Sequence, residues 1–295
     1  MYVVTGATGH TGKRIVETLL AAGQRVRAVA RHEDALAELA KKGAEIRVGS
    51  MENIEFLSEA LRGATAAYLL NPPNFTAEDL EKGQARIAAA QVAALRSSGV
   101  KFAAFLSSMG AHTNVGMGPV NGLYDHEQAL NRIAGLNVLH LRAGYFFDNF
   151  LFQIGMIKGM GVMGGAFKAD AKLMAIATND IGDYAAKRLL ALDFEGKQIQ
   201  ELIGARDLTL AEIARVFGTA IGKPDLGWMS VPYEQEAKGF MSFGASASVA
   251  NAYAELSKSI NDGRLDVVRR SAANTTPTTV ETFAETVFAP AFRAS

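Results

Sequence analysis

A glycine-rich segment near the start of the chain constrains its fold more than any other feature. Residues 5–12 read Thr-Gly-Ala-Thr-Gly-His-Thr-Gly and directly follow a short apolar run. In a dinucleotide-binding strand–helix unit, the first glycine permits a tight turn, the second lets the backbone approach a pyrophosphate, and the third lets the helix pack against the strand. The N-terminus of that helix offers free N–H groups to the phosphates. The predicted cofactor contacts in this segment are Gly6, Thr8, Gly9, His10, Thr11 and Gly12.

The pattern of the first 150 residues supports this reading, because short β-branched runs alternate with longer amphipathic ones. The predicted strands are Val3–Val4, Val26–Val29, Ile46–Val48, Ala67–Leu70, Phe102–Leu106 and Val138–Leu141, and the predicted helices are Lys13–Ala22, Asp34–Lys42, Ile54–Leu61, Leu80–Ser98 and Asp125–Ala134. Apolar strands separated by helices indicate a parallel sheet covered on both faces. With right-handed crossovers, the fold class is α/β, a doubly wound Rossmann-type sheet.

The regular alternation of strands and helices ends after Arg142, so we expect two domains. Residues 1–150 form the predicted dinucleotide-binding Rossmann domain, to which a strand and a helix near 175–205 return, and residues 151–295 form a smaller, mostly helical substrate or cap lobe. The stretch Gly144–Gly165 is rich in Gly, Met and Phe and is typical of a loop or lid. An ordered lid over a nicotinamide favours catalysis, whereas an exposed apolar patch favours a protein partner.

The end of the second strand indicates which dinucleotide is bound. It carries Arg31 and no carboxylate to accept the ribose 2′-OH bonds of NAD. Arg31 can pair with a 2′-phosphate, which predicts NADP(H), although a solvated surface charge is the alternative. Glu33 and Asp34 are interpreted as first-turn acids of the next helix, where the helix dipole favours them.

Several segments, in order, resemble the NmrA-like group of atypical short-chain dehydrogenases. They are the glycine spacing at 6, 9 and 12, Leu69–Pro73, Gly99–Lys101 leading to Leu106–Ala111, Leu141–Phe150, Asp180–Asp183 and Leu208–Ala214. The resemblance implies a Rossmann-type fold and NADP(H). It implies activity less firmly, because the group includes quinone and dye reductases as well as NADP(H)-binding redox sensors that catalyse no reaction.

Catalytic short-chain dehydrogenases carry a Tyr-x-x-x-Lys pair, whose lysine lowers the pKa of the tyrosine, and a serine at the end of the fifth strand. The resemblance places Tyr124 and Ser107 in those roles, but Gln128 stands at the lysine position. Without the lysine, Tyr124 is a poor base, although it can donate a hydrogen bond. This favours conjugated acceptors, whose reduced form needs little proton help, over simple ketones. A purely structural aromatic at this helix terminus remains an equal alternative.

The remaining candidates follow the ends of the fourth and sixth strands, at the carboxyl edge of the sheet where a nicotinamide is expected. The predicted cofactor contacts there are Asn71, Pro72, Ser107, Gly144, Tyr145 and Phe146, and the predicted acceptor contacts are Tyr124, Phe146, Phe147 and Asn149. Each aromatic residue is equally consistent with core packing between lid and sheet.

Composition excludes several other classes of function. There is no cysteine, the five histidines are scattered, and no ligand spacing predicts a metal site. Lys and Arg balance Asp and Glu at 30 each, so no overall field attracts nucleic acid or an anionic membrane. The chain opens on a predicted strand rather than a signal peptide and has no spanning segment, so we expect a cytoplasmic protein.

Three functional hypotheses remain. The first is an NADPH-dependent oxidoreductase that transfers hydride to a quinone-like or other conjugated small molecule. The second is a non-catalytic NADP(H)-sensing regulator that engages a protein partner. The third is an imine or enone reductase in a biosynthetic pathway. We expect a monomer or a homodimer in each case.

Overall fold

The computed structural model describes residues 1–295 and is built around one seven-stranded parallel sheet. Its strands are β1 (Tyr2–Thr5), β2 (Val26–Ala30), β3 (Glu45–Val48), β4 (Ala66–Leu70), β5 (Phe102–Ser108), β6 (Asn137–Ala143) and β11 (Lys197–Leu202). They lie in the order β3-β2-β1-β4-β5-β6-β11. The order reverses between β1 and β4, which opens a crevice at their carboxyl ends where such sheets bind ligands. The predicted doubly wound α/β fold is confirmed.

Helices cover both faces of this sheet, as the apolar strands require. They are α1 (His10–Ala21), α2 (Ala37–Lys41), α3 (Ile54–Leu61), α4 (Leu80–Ser98), α5 (Asn121–Asn131) and α7 (Thr178–Ala191). α4 shows how the sequence sets such boundaries: the Asp79 side chain accepts the Lys82 N–H at its start, and Gly99 ends it with a left-handed φ of +76°. Two large buried clusters, one centred on Ile15 and Tyr68 and the other on Leu57 and Phe105, fill the space between helices and sheet.

The second half of the chain adds short strands and helices beside the carboxyl edge. They are β7 (Tyr145–Phe146), α6 (Ile154–Met160), β8 (Met163–Gly165), β9 (Lys172–Leu173), β10 (Ala175–Ile176), β12 (Leu208–Thr209), α8 (Leu210–Ala220), β13 (Trp228–Ser230), α9 (Tyr233–Ser242), α10 (Ala247–Asn261), α11 (Val280–Phe283) and α12 (Ala289–Ala294). The expected loop or lid at 144–165 is instead a strand, a 3₁₀ helix, α6 and a second strand. Its aromatic residues anchor it, since Phe147 and Phe150 are buried in a phenylalanine-rich core.

α10 joins this region to the sheet. A β-carbon on Gly118, in the segment after β5, would collide with the carbonyl oxygen of Ala252 in α10, and the Gly118 N–H donates to Glu255 at 2.9 Å. Ser246, which caps α10, donates its N–H to the carbonyl of Phe75 in the segment after β4. α10 therefore packs over the segments that leave the carboxyl edge. No helix in the structure combines the length and the apolar character needed to cross a bilayer.

Candidate cofactor and acceptor site

The glycine segment forms a tight turn between β1 and α1. Gly6 adopts a φ of +60°, which side-chain-bearing residues rarely adopt. A β-carbon on Gly12 would collide with the carbonyl oxygen of Gly6, so the first turn of α1 can lie against the loop only with glycine there. Around Gly9, by contrast, a β-carbon would approach nothing closer than 3.4 Å, and the residues on either side of it, Thr8 and His10, are exposed. The outer side of the loop is therefore free to receive a ligand.

The start of α1 has the properties of an anion site. The backbone N–H groups of His10, Thr11 and Gly12 find no acceptor within the chain, and no acidic residue occupies the first turn. Such unpaired groups carry the positive end of the helix dipole. The loop and the helix start therefore offer the backbone donors that the pyrophosphate of a dinucleotide needs.

Side chains from other elements hold this loop in place. The hydroxyl of the fully buried Tyr68 donates to Thr11 Oγ1 at 3.0 Å, so the Thr11 side chain faces the interior. Burial also raises the pKa of the Tyr68 phenol. On the outer side, His10 Nδ1 lies 3.3 Å from Asp148 Oδ1, and Asp148 accepts the N–H and the hydroxyl of Thr178. Asp148 thus connects the phosphate loop to the segment after β6.

Arg31 lies at the end of β2, exposed to solvent, and forms no ion pair. Two other arginines of this edge, Arg27 in β2 and Arg47 in β3, both form ion pairs with Glu45. The guanidinium of Arg31 is therefore the one of these three that is available for an anionic ligand at the edge of the crevice.

The carboxyl ends of β4 and β6 border the crevice on its other side. Asn71, next to the partly buried Pro72, donates Nδ2 to the carbonyl of Gln84 at 2.9 Å, while its buried Oδ1 has no partner. An orphaned acceptor of this kind fits a ligand that donates an N–H or O–H group. A β-carbon on Gly144 would collide with the Met174 carbonyl, so Gly144 serves close backbone packing.

Ser107, a predicted catalytic and cofactor contact, lies in a buried polar network. Its hydroxyl donates to Glu127 Oε1 at 2.5 Å, and Arg142 holds the same carboxylate through two bonds of 3.0 and 2.6 Å. Ser107 is 3% exposed and Glu127 1%. The proton of the Ser107 hydroxyl is committed to Glu127, so the structure gives this serine a role in holding α5 against β5 and β6.

Tyr124 and Gln128 lie on one face of α5 and are both partly exposed. The Tyr124 ring packs against Ala111, Met117 and Val120, and its hydroxyl forms no hydrogen bond with the chain. That hydroxyl can donate to a ligand. Gln128 stands one helical turn further along the same face, so the side chain at that position carries an amide and no ammonium.

The three aromatic residues that follow β6 lie in different environments. Phe146 is half-buried against the core of the sheet, and Tyr145 faces the lobe, where its ring meets Phe150 and Phe167 at centroid distances of 5.4 and 5.6 Å. Asn149 lies beside the Tyr145 hydroxyl. Phe147 is 1% exposed and packs 5.4 Å from Phe283, so the structure places it inside the lobe core rather than at a ligand surface.

Four residues of this region escaped the sequence reasoning. Tyr68, Glu127 and Arg142 read as ordinary strand and helix residues, because nothing local shows what they bond across the sheet. Asp148 lies within the family-like segment Leu141–Phe150. Its position directly before Asn149, a predicted acceptor contact, was the signal that could have identified it as a residue of the site.

Comparison with known proteins identifies the family. The profile of the NmrA-like family matches residues 2–284, and the chain belongs to that family.

Two relatives in sequence carry the names of an oxidoreductase and a reductase. The chain is 27% identical to quinone oxidoreductase 2 of Escherichia coli over 228 residues, 76% of this chain and 75% of that one. It is 29% identical to the (4-alkanoyl-5-oxo-2,5-dihydrofuran-3-yl)methyl phosphate reductase of Streptomyces griseus over 231 residues, 77% of each. The crystal structure of the NADPH-dependent quinone oxidoreductase QOR2 from Escherichia coli with NADPH superposes with a TM-score of 0.82 at 24% identity, covering 98% of this chain and 100% of that one.

Proposed function

We propose that this protein is an NADPH-dependent oxidoreductase that reduces a conjugated small molecule carrying a carbonyl group. The observation that carries the proposal is the phosphate loop, where three unpartnered N–H groups begin α1 directly after β1, and exposed Arg31 follows the neighbouring strand β2. Anionic groups bind at helix N-termini, and arginine pairs with phosphate in a bidentate manner. We assign the loop to the pyrophosphate, Arg31 to the 2′-phosphate, and Asn71 Oδ1 to the nicotinamide end. Bound NADPH supplies a hydride.

The acceptor class follows from Tyr124 and Gln128. A simple ketone becomes a strongly basic alkoxide on hydride addition and needs a tuned proton donor. A quinone or an enone becomes a delocalised oxyanion, for which a hydrogen bond from the Tyr124 hydroxyl suffices. The names of both relatives support this class, since one is a quinone oxidoreductase and the other reduces a ring compound that bears an oxo and an alkanoyl group.

The test is NADPH consumption by the purified protein, followed at 340 nm against quinones, a conjugated enone and simple ketones. We expect turnover with quinones or the enone and none with ketones, and a preference for NADPH over NADH. Faster turnover with cyclohexanone than with any quinone would contradict the assignment of Gln128. Tight NADPH binding without consumption by any acceptor would favour the sensing regulator, whose partner is a protein. A cytoplasmic location and a monomer or homodimer remain part of the proposal, as does a division into domains near residue 150.

A further inference from the structure

β11 is an outer strand of the main sheet, and its free edge carries an exposed apolar residue. One side of β11 pairs with β6, and no strand pairs with the other side between Lys197 and Glu201. Ile199, at the centre of this stretch, is 54% exposed, although isoleucine is among the residues most often buried. The unpaired N–H and C=O groups of an edge strand are a template on which another strand can form.

The bonds between β11 and β6 determine which backbone groups are free. The Val138 N–H donates to the Gly196 carbonyl at 2.8 Å. Backbone groups of successive residues in a strand point to opposite sides, so the even-numbered residues of β11 bond to β6. The N–H and C=O groups of Lys197, Ile199 and Glu201 therefore point away from the sheet.

The free edge is bounded at both ends. Beyond its end, Ile203 is already bridged to the segment 274–276. Gln200 Nε2 donates to the Ala273 carbonyl at 3.0 Å, so the turn that contains Ala273 borders the last residues of the strand. At the other end, Gly196 has a left-handed φ of +65° and turns the chain into the strand. The edge therefore accommodates only a short partner strand.

Two charged residues flank Ile199, and neither has an oppositely charged partner within the chain. Side chains alternate along a strand, so Lys197, Ile199 and Glu201 share one face. Lys197 Nζ donates to the carbonyls of Ile133 and Leu136, in the segment after α5, but meets no carboxylate. Burial lowers the pKa of Lys197. The Glu201 carboxylate forms no ion pair and accepts no hydrogen bond; only its backbone carbonyl is bonded, by the preceding glutamine.

An antiparallel copy of the same strand would satisfy both charges. When Ile199 lies opposite Ile199 of a second copy, Lys197 of each copy lies opposite Glu201 of the other. Directly opposed residues of opposite charge stabilise a strand pair, as do opposed apolar residues. A lysine on an edge strand ordinarily discourages pairing, but here a glutamate faces it. β3, the outer strand at the opposite edge, lacks this property, because its Glu45 already pairs with Arg47.

We propose that the protein forms a symmetric homodimer in which the β11 strands of two copies pair antiparallel, centred on Ile199. The N–H and C=O groups of Ile199 bond to those of Ile199 in the other copy, and the two seven-stranded sheets become one continuous sheet. Such an interface uses the same surface on both copies and is closed by a twofold axis. A single pair of short strands covers little surface, so we expect a dissociation constant in the micromolar range.

The first arm of the test measures mass by sedimentation velocity between about 1 and about 100 μM protein. It uses neither cofactor nor acceptor, so its result is independent of the proposed function. We expect a dimer at the upper end of this range. Ile199→Lys places two ammonium groups opposite each other and should weaken the dimer at least about tenfold.

Ile54→Lys is the matched control, because Ile54 in α3 is 49% exposed; this variant should dimerise like the unchanged protein. A protein that stays monomeric throughout the range, or a dimer that Ile199→Lys leaves equally strong, would overturn the proposal.

The second arm tests the register with a variant that changes the surface little. The chain contains no cysteine, so Ile199→Cys introduces its only thiol. Opposed Cα atoms in a hydrogen-bonded antiparallel pair lie about 5.5 Å apart, a separation that a disulfide spans. Mild oxidation should therefore convert Ile199→Cys into a covalent dimer on a non-reducing gel and leave the control Ile54→Cys monomeric. Equal cross-linking of the two variants, or none with Ile199→Cys, would refute a pairing centred on Ile199.

Discussion

Two buried histidines should make the stability of this protein fall steeply in mild acid. His126, in α5, packs 4.4 Å from Phe105, and neither of its ring nitrogens has a hydrogen-bond partner. His140, in β6, bonds Asn131 through Nε2 at 2.8 Å. Burial lowers the pKa of His126 to about 3, with a further contribution from His140, and burial lowers the pKa of His140 to about 4.

The sign and the size follow from these values. Both imidazoles are neutral in the folded protein, whereas in the unfolded chain they take up protons below a pKa of about 6.5. The stability that comes from keeping both imidazoles neutral is fully present above that pH. It is lost progressively as the pH falls below 6.5 towards the folded-state pKa values of about 4 and about 3. Between pH 7 and pH 5, proton uptake by the unfolded chain lowers the free energy of unfolding by about 2 kcal/mol per histidine, or about 4 kcal/mol for the pair. This figure requires only that both folded pKa values lie below 5.

The assay is urea unfolding followed by circular dichroism at half-unit steps from pH 7.5 to pH 4.5. We expect His126→Leu to reduce the loss of stability between pH 7 and pH 5 by about 2 kcal/mol. Replacing the exposed His32 with Gln is the control and should leave the pH profile unchanged. A His126→Leu profile parallel to that of the unchanged protein would refute the reasoning, because His126 would then be protonated equally in both states.

Three further substitutions test the site and its scaffold. Arg31→Ala should weaken NADPH binding by about ten- to a hundredfold, the worth of a charged hydrogen bond, and leave NADH binding almost unchanged; equal losses in fluorescence titrations would remove Arg31 from the 2′-phosphate site. Gly12→Ala should weaken NADPH binding at least about tenfold, because its methyl group displaces the loop from the phosphates, whereas Gly155→Ala, a helical position open to solvent, should not. Glu127→Gln should lower the free energy of unfolding by about 3–5 kcal/mol, since the partly buried Arg142 then lacks its ionic partner; a value matching that of the exposed Glu59→Gln would show that the network contributes little.

The sheet and the phosphate loop could be predicted from sequence because their determinants are local. A strand between two helices needs only its own apolar run, and Gly12 acts on a carbonyl six residues away. The six predicted strands and the returning one occupy the positions expected, and the resemblance to the NmrA-like family is confirmed. The 144–165 segment was harder to predict, because its helix and strands depend on aromatic packing against distant residues such as Phe283.

The acceptor side of the site could not be predicted for the same physical reason. Nothing near Glu236 in the sequence shows that its Oε1 accepts the backbone N–H of Ala166, 70 residues away. Ser107 illustrates the converse: its place at the end of β5 is correct, but its hydroxyl bonds Glu127, which a strand-end motif cannot reveal. Pairings between distant elements decide which side chains remain available to a ligand, and one sequence does not show these pairings.

The most direct test of the central claim is a single turnover of NADPH-loaded protein mixed with 1,4-naphthoquinone. Absorbance at 340 nm would be followed with NADPH and with NADPH deuterated at the transferred position of C4. We expect rapid loss of the signal, and we expect that loss to be slower with the deuterated cofactor. If bound NADPH stays unchanged in the presence of both quinones and enones, the proposed oxidoreductase function is contradicted. The protein would then be one that binds the cofactor without transferring its hydride.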